Sequence, residues 1–141
     1  MIRTENEYRK ALEQLKNDAE YLHRQREHLR SIGLKGDQLE RAMQPALSFH
    51  AQLSEEVAIY EQMRRGELGT LSDLTQIGRW LVGVRIAKGL TQRELAERLG
   101  VSEAQVSRDE RNEYHGITVE RAQMILQKMG VELRLEAEVM G

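Results

Sequence analysis

The chain has 141 residues, no cysteine and a formal net charge of -2, which leaves room for one ordinary domain or two small ones and excludes a disulfide framework, a thiolate metal site and an indiscriminate nucleic-acid coat. Charged residues make up 31% and aromatics only 4%, a balance that favours an elongated helical chain over one thick globule. The opening MIRTENEYRK lacks the apolar run of a signal peptide, and no stretch is long enough to cross a membrane, so a cytoplasmic protein without a membrane partner is expected.

Thr4 with Glu7 three residues on predicts a helix cap and a helix from about Glu5 to Leu29 or Arg30. Tyr8, Leu12, Leu15, Ala19, Leu22, Arg26 and Leu29 recur by four and three, a coiled-coil-like stripe interrupted once by a charge. Gly33 and Gly36 in SIGLKG predict a reversal. A second helix is expected from about Asp37 to Arg64, with Leu39, Met43, Ala46, Phe49, Leu53, Val57, Tyr60 and Met63 facing one way. The two stripes can bury each other in an antiparallel hairpin. Pro45 predicts either a kink or a restart with Gln44 and Pro45 in a first turn. Residues 1–68 are thus expected to form a long hairpin used for dimerisation or partner binding.

Tyr8, Phe49 and Tyr60 read as packing residues. His23, His28 and His50 lack metal-ligand spacing, and the adjacent Glu55 and Glu56 face different directions, so neither a metal site nor an acid/base pair is expected. The chain shows no constellation of nucleophile and base, and no enzyme activity or cofactor is expected.

The stretch RGELGTLSD, Arg65 to Asp73, marks a boundary. A helix from Asp73 or Leu74 to about Lys88 would bury Ile77, Leu81 and Val84. Thr91 with Glu94, and Ser102 with Gln105, each have the spacing by which a hydroxyl and a longer polar side chain satisfy each other's orphan amides. Leu95, Ala96 and Leu99 stripe the first of these short helices, and Ala104 and Val106 the second. Gly100 stands where a left-handed cap is needed, with only Val101 before the second cap, so the chain must turn sharply. Two short helices crossed over a tight corner have helix-turn-helix geometry. NEYHG at 112–116, with His115, reads as a loop. Thr118 caps a last helix that sends Ala122, Ile125, Leu126 and Met129 to the core and stops at Gly130.

VELRLEAEV, Val131 to Val139, alternates apolar and charged residues, the period of a half-buried strand. A lone strand needs a partner, so 131–141 is expected to pair with its counterpart across a dimer, the alternative being a strand laid across its own domain or a frayed tail. The expected fold is mainly α: an N-terminal antiparallel hairpin, a five-helix domain over 70–130, and one C-terminal strand.

The run TQRELAERLGVS, within a segment from about Ile77 to Gly130, resembles the Cro/repressor or XRE-type helix-turn-helix domain. The resemblance implies that Gln92, at the start of the first motif helix beside Thr91, binds a phosphate of double-stranded DNA. It places Glu103, Ala104 and Arg108 against base edges, with Ser102, Gln105 and Ser107 beside them for phosphate or base contacts. It also implies an internal ion pair between Arg85 and Glu110. Arg111 joins these positions as part of a local basic face with Arg79, Lys88, Arg93 and Arg98. One departure is Asp109, at a position commonly apolar in the family; with Glu103 it makes the recognition helix less basic than most.

The function expected from this reading is a homodimeric repressor of a palindromic operator. The alternatives are an antitoxin whose hairpin captures a toxin or other protein effector while autoregulating its operon, and a helical interaction protein with vestigial DNA binding.

Overall fold

The computed structural model describes residues 1–141, and the chain divides into two compact units, Met1–Gln62 and Met63–Gly141. The architecture is mainly α throughout, with six α-helices and one 3-10 turn.

In the first unit, α1 spans Glu5–Ser31 and α2 spans Asp37–Arg64. The Thr4 hydroxyl accepts from the Glu7 amide at 3.1 Å and fixes the start of α1. Cross-contacts show an antiparallel pair: the Tyr60 hydroxyl donates to Glu5 at 2.9 Å, the Tyr8 and Tyr60 rings lie 5.0 Å apart, and Arg26 bridges Glu40 at 2.6 Å. Ala11, Leu39, Met43, Val57 and Tyr60 form the buried seam.

Two details of that seam differ from expectation. On α1 the shielded residues run Tyr8, Ala11, Leu15, Asp18, Leu22, Gln25, Arg26 and Leu29, so the step is mostly three then four; Arg26 keeps its expected place, whereas Leu12 and Ala19 are exposed. On α2, Phe49 is 58% exposed and His50 is the more shielded of the two. A full heptad from Met43 returns the helix to nearly the same direction, whereas one residue less turns the side chain away. Of the two outcomes open at Pro45, a kink or a restart, the restart does not occur: α2 spans Asp37–Arg64 as expected and continues through the proline. Pro45 itself is exposed.

In the second unit, a 3-10 turn (Leu74–Gln76) leads into α3 (Ile77–Ala87), followed by α4 (Gln92–Leu99), α5 (Glu103–Arg111) and α6 (Val119–Lys128). The single helix expected from Asp73 or Leu74 is therefore split. The Asp73 carboxylate accepts from the Thr75 amide at 2.9 Å and from its hydroxyl at 2.7 Å, favouring a tight first turn. Leu81, Val82, Leu95, Val106, Ile125, Leu126 and Met129 make a continuous core, each essentially without solvent contact. Because every α-helix of this unit sends an apolar stripe to that core, short helices that would be marginal alone are held by their neighbours.

The expected strand does not form. Val131 donates to the Leu126 carbonyl at 2.9 Å to close α6, and residues 131–141 then have no regular secondary structure. Leu135, Val139 and Met140 are largely exposed. Period-two alternation makes a segment fit to be a strand, but a ladder also needs an edge to bond, and this all-helical unit offers none.

Candidate nucleic-acid interface

The corner between α4 and α5 is specified locally. Thr91 and Glu94 form a reciprocal capping box: the hydroxyl accepts from the Glu94 amide at 3.0 Å, and the Glu94 carboxylate accepts from the Thr91 amide at 3.3 Å. α4 ends on Gly100 at φ 70° and ψ 30°, a left-handed conformation that residues with a Cβ adopt only at a cost. Ser102 then caps α5 by accepting from the Gln105 amide at 3.1 Å. The second box expected there is incomplete, because the Gln105 side chain turns to Asp109 and Arg108 instead.

α5 is anchored through its inner face. Val106 and Glu110, one helical turn apart, are buried, and Glu110 is 0% exposed. Its carboxylate accepts from Arg85 Nε at 2.6 Å, Arg85 Nη2 at 2.8 Å and Gln92 Nε2 at 2.9 Å, while Arg85 Nη1 donates to the Leu90 carbonyl at 2.8 Å. Burying a guanidinium and a carboxylate costs several kcal/mol per ion, which is tolerable only with bidentate geometry and further hydrogen bonds of this kind. The result ties α3, the start of α4 and α5 together at one point.

Gln92 lies within that arrangement. Its side chain is buried and points inward to Glu110, so its amide group belongs to the anchor. The inward turn follows from the carboxylate's unused acceptor capacity, which Arg85 alone does not fill.

The outer side of α5 is open. Ser102, Glu103, Ala104, Arg108 and Arg111 are exposed, and Gln105 and Ser107 are half-buried. Two basic residues of the unit are already compensated, Arg79 at 3.7 Å from Glu113 and Arg93 at 3.6 Å from Glu97, while Arg98 donates to the neutral Lys128 carbonyl at 3.1 Å. Arg108 and Arg111 instead touch only neutral side chains, Gln105 at 3.0 Å and Ser107 at 3.4 Å. Their charge faces solvent without a carboxylate partner, as an anion-seeking surface requires.

Asp109 is neither apolar nor solvent-facing. Arg121 of α6 donates to its Oδ2 at 2.8 Å, and Gln105 donates to its Oδ1 at 3.0 Å. Nothing in the local spacing around Arg121 marks it as part of this face. The signal that could have found it is the acidic residue itself, since a half-buried carboxylate on a packed helix needs a cation nearby.

The loop after α5 is shaped by Glu113 and Tyr114, both at positive φ, 53° and 50°. Tyr114 is buried, its ring 6.0 Å below the Arg121 guanidinium. Burial pushes its hydroxyl above the usual phenol range, the carboxylates of Glu110 and Asp109 add to that effect, and Arg85 and Arg121 oppose it. His115 is exposed in the same loop. His, Asp and Glu side chains nowhere form a group of three or more able to hold a metal ion, and no helix is long and apolar enough to cross a membrane.

A family model described as helix-turn-helix matches residues 84–135, a span that takes in the end of α3, all of α4, α5 and α6, and the first residues beyond. No curated protein and no solved structure matches the chain.

Proposed function

We propose that this protein, whose residues 84–135 form a DNA-binding helix-turn-helix domain of the Cro/C1 type, is a homodimeric repressor that reads a palindromic operator with α5. The observation that carries this reading is the division of α5 into a buried anchor, Val106 and Glu110, and an open face bearing the uncompensated Arg108 and Arg111. On that face Arg108 suits the paired acceptors of guanine, and Glu103 suits the amino group of cytosine. Gln105 has the amide that pairs with adenine. Ser102, Ser107 and Arg111 supply donors for phosphates, and Thr91 with the amides at the start of α4 faces the backbone in the same way. Gln92 contributes through its main-chain position, since its side chain serves Glu110.

One subunit supplies one recognition helix. Reading a palindrome therefore requires a dimer that sets two copies of α5 about 34 Å apart. The hairpin unit supports a partner-binding role, because Tyr21, Ile32 and Phe49 are large apolar side chains at least half exposed on it. The same observation favours a second reading, in which the hairpin captures a toxin or another effector and the domain controls the corresponding operon. Copurification of a small protein partner with the native chain distinguishes that reading from a simple repressor.

Selection from random duplexes with the full chain, followed by sequencing, tests the main reading. A twofold-symmetric consensus with half-sites about one helical turn apart is expected. Failure to enrich any sequence would defeat it.

A further inference from the structure

We propose that Asp109 and Arg121 are positioning residues that set the base preference of α5 by holding Gln105 and, through it, Arg108. The proposal rests on the reading of this face as a DNA reader. Four side chains form a directed relay: Arg121 Nη2 donates to Asp109 Oδ2 at 2.8 Å, Gln105 Nε2 donates to Asp109 Oδ1 at 3.0 Å, and Arg108 Nη2 donates to Gln105 Oε1 at 3.0 Å. Each carboxylate oxygen of Asp109 is engaged by a different donor, so the group cannot rotate without losing a bond.

The consequence falls on Gln105. An amide side chain is nearly symmetric in shape, and its two orientations present opposite patterns to a base. Here a flip would set its oxygen against the Asp109 carboxylate and its nitrogen against the Arg108 guanidinium, both repulsive. The orientation is therefore fixed, with one N–H and one lone pair left over, the complement that adenine offers in the major groove. Arg108 is drawn to one side of the helix while the donor fork of its guanidinium that Gln105 does not occupy stays available for an acceptor pair such as guanine presents. A reader ordered before contact loses less conformational entropy on binding.

Arg121 explains how a carboxylate can sit on such a helix at all. Unpaired, Asp109 would repel phosphates and swing outward; paired with a cation from α6, it is neutralised and turned inward. Arg121 is restrained in turn over the Tyr114 ring. Its side chain is 40% exposed, and an ion pair of that exposure contributes little to folding. Loss of stability and loss of discrimination should therefore separate in the variants.

The test compares the full-length wild type with Arg121→Ala, Arg121→Lys, Asp109→Asn, Gln105→Ala and Arg108→Ala. Each is put through random-duplex selection and then titrated against the wild-type consensus, its single-base variants and an unrelated duplex, with thermal melting alongside. Arg121→Ala and Asp109→Asn are expected to lower discrimination about tenfold at the positions that Gln105→Ala or Arg108→Ala also relaxes, with binding of Asp109→Asn to the unrelated duplex held within about twofold and that of Arg121→Ala lowered by the unpaired Asp109 carboxylate. Arg121→Lys keeps the charge and should recover part of the loss, and adding Gln105→Ala to Arg121→Ala should cost nothing further at the Gln105 position. If Asp109→Asn does not fold, the two Arg121 variants decide. An unchanged preference profile, or an equal loss on every duplex, overturns the proposal while leaving the DNA-reading function intact. If the wild type itself enriches no sequence, that function falls and the proposal falls with it.

Discussion

Gly78 of α3 lies directly against the carbonyl of Glu113: a Cβ at position 78 would stand 1.7 Å from that oxygen. Glu113 and Tyr114 hold left-handed conformations in this loop, so the backbone has little room to withdraw. Gly78→Ala is expected to destabilise the second unit by about 3 kcal/mol, the upper range of an overpacking change. Gly83→Ala is the control, since its added Cβ would meet the Leu68 side chain at 3.0 Å, a flexible neighbour that can move. Urea unfolding of both variants checks the difference, and equal losses would refute the account.

Removing either partner of the buried Arg85 and Glu110 pair should cost about 3 to 5 kcal/mol, because the remaining charge keeps its burial and loses its counterion. Replacing both by apolar residues of similar volume, Arg85→Met with Glu110→Leu, should recover much of that loss. Recovery would be incomplete, since the Gln92 amide and the Leu90 carbonyl would lose their partners. A single-variant loss below about 1 kcal/mol in equilibrium denaturation would contradict a buried pair.

Tyr114 gives a pH dependence with a definite sign. Its phenol ionises less readily in the folded chain, chiefly through burial and then through Glu110 and Asp109. The unfolded chain therefore releases this proton first. The contribution to stability is whole below the ordinary phenol value, about pH 10, and is lost as pH rises from there toward the folded value. Tyr114→Phe should flatten the alkaline fall in stability above about pH 10 relative to the wild type. Parallel stability curves for the two chains through that range would count against it.

Arg108→Ala should weaken discrimination at one operator position by about 1 to 3 kcal/mol while sparing the others. Gln92→Ala should act differently, as a modest loss of folding stability accompanied by a uniform loss on all duplexes, because its side chain supports Glu110. Titration against matched and mismatched duplexes, paired with thermal melts, separates the two. Equal losses on every duplex for Arg108→Ala would make it a phosphate contact instead of a base reader.

The elements most legible in the sequence were those written by local chemistry. Thr4, Thr91, Ser102 and Thr118 each stand at a helix start and accept a hydrogen bond from the amide three residues on, and Gly100 takes the left-handed cap its position requires. Side-chain direction was less legible. Gln92 and Gln105 share a residue type and a place near a helix start, yet one turns to Glu110 and the other to Asp109. The first choice depends on a carboxylate in another helix, and the second on Asp109 being held in place by Arg121 of α6, and local spacing carries no record of either distant partner. Val131 to Val139 failed for the complementary reason: its alternation satisfies the local requirement for a strand, whereas pairing is a property of the surroundings.

The separation on α5 between an inner pair, Val106 and Glu110, and an outer set that includes Glu103, Ala104 and Arg108 bears on how such a protein can change over evolutionary time. Substitutions on the outer set leave the anchoring bonds untouched, so target preference can drift or be rewritten by design without repaying the cost of folding. Positions 105, 108 and 109 are the exception. Because they are tied to one another and, through Asp109, to Arg121, they would have to vary together, and engineered libraries that randomise the exposed residues one at a time would miss those combinations.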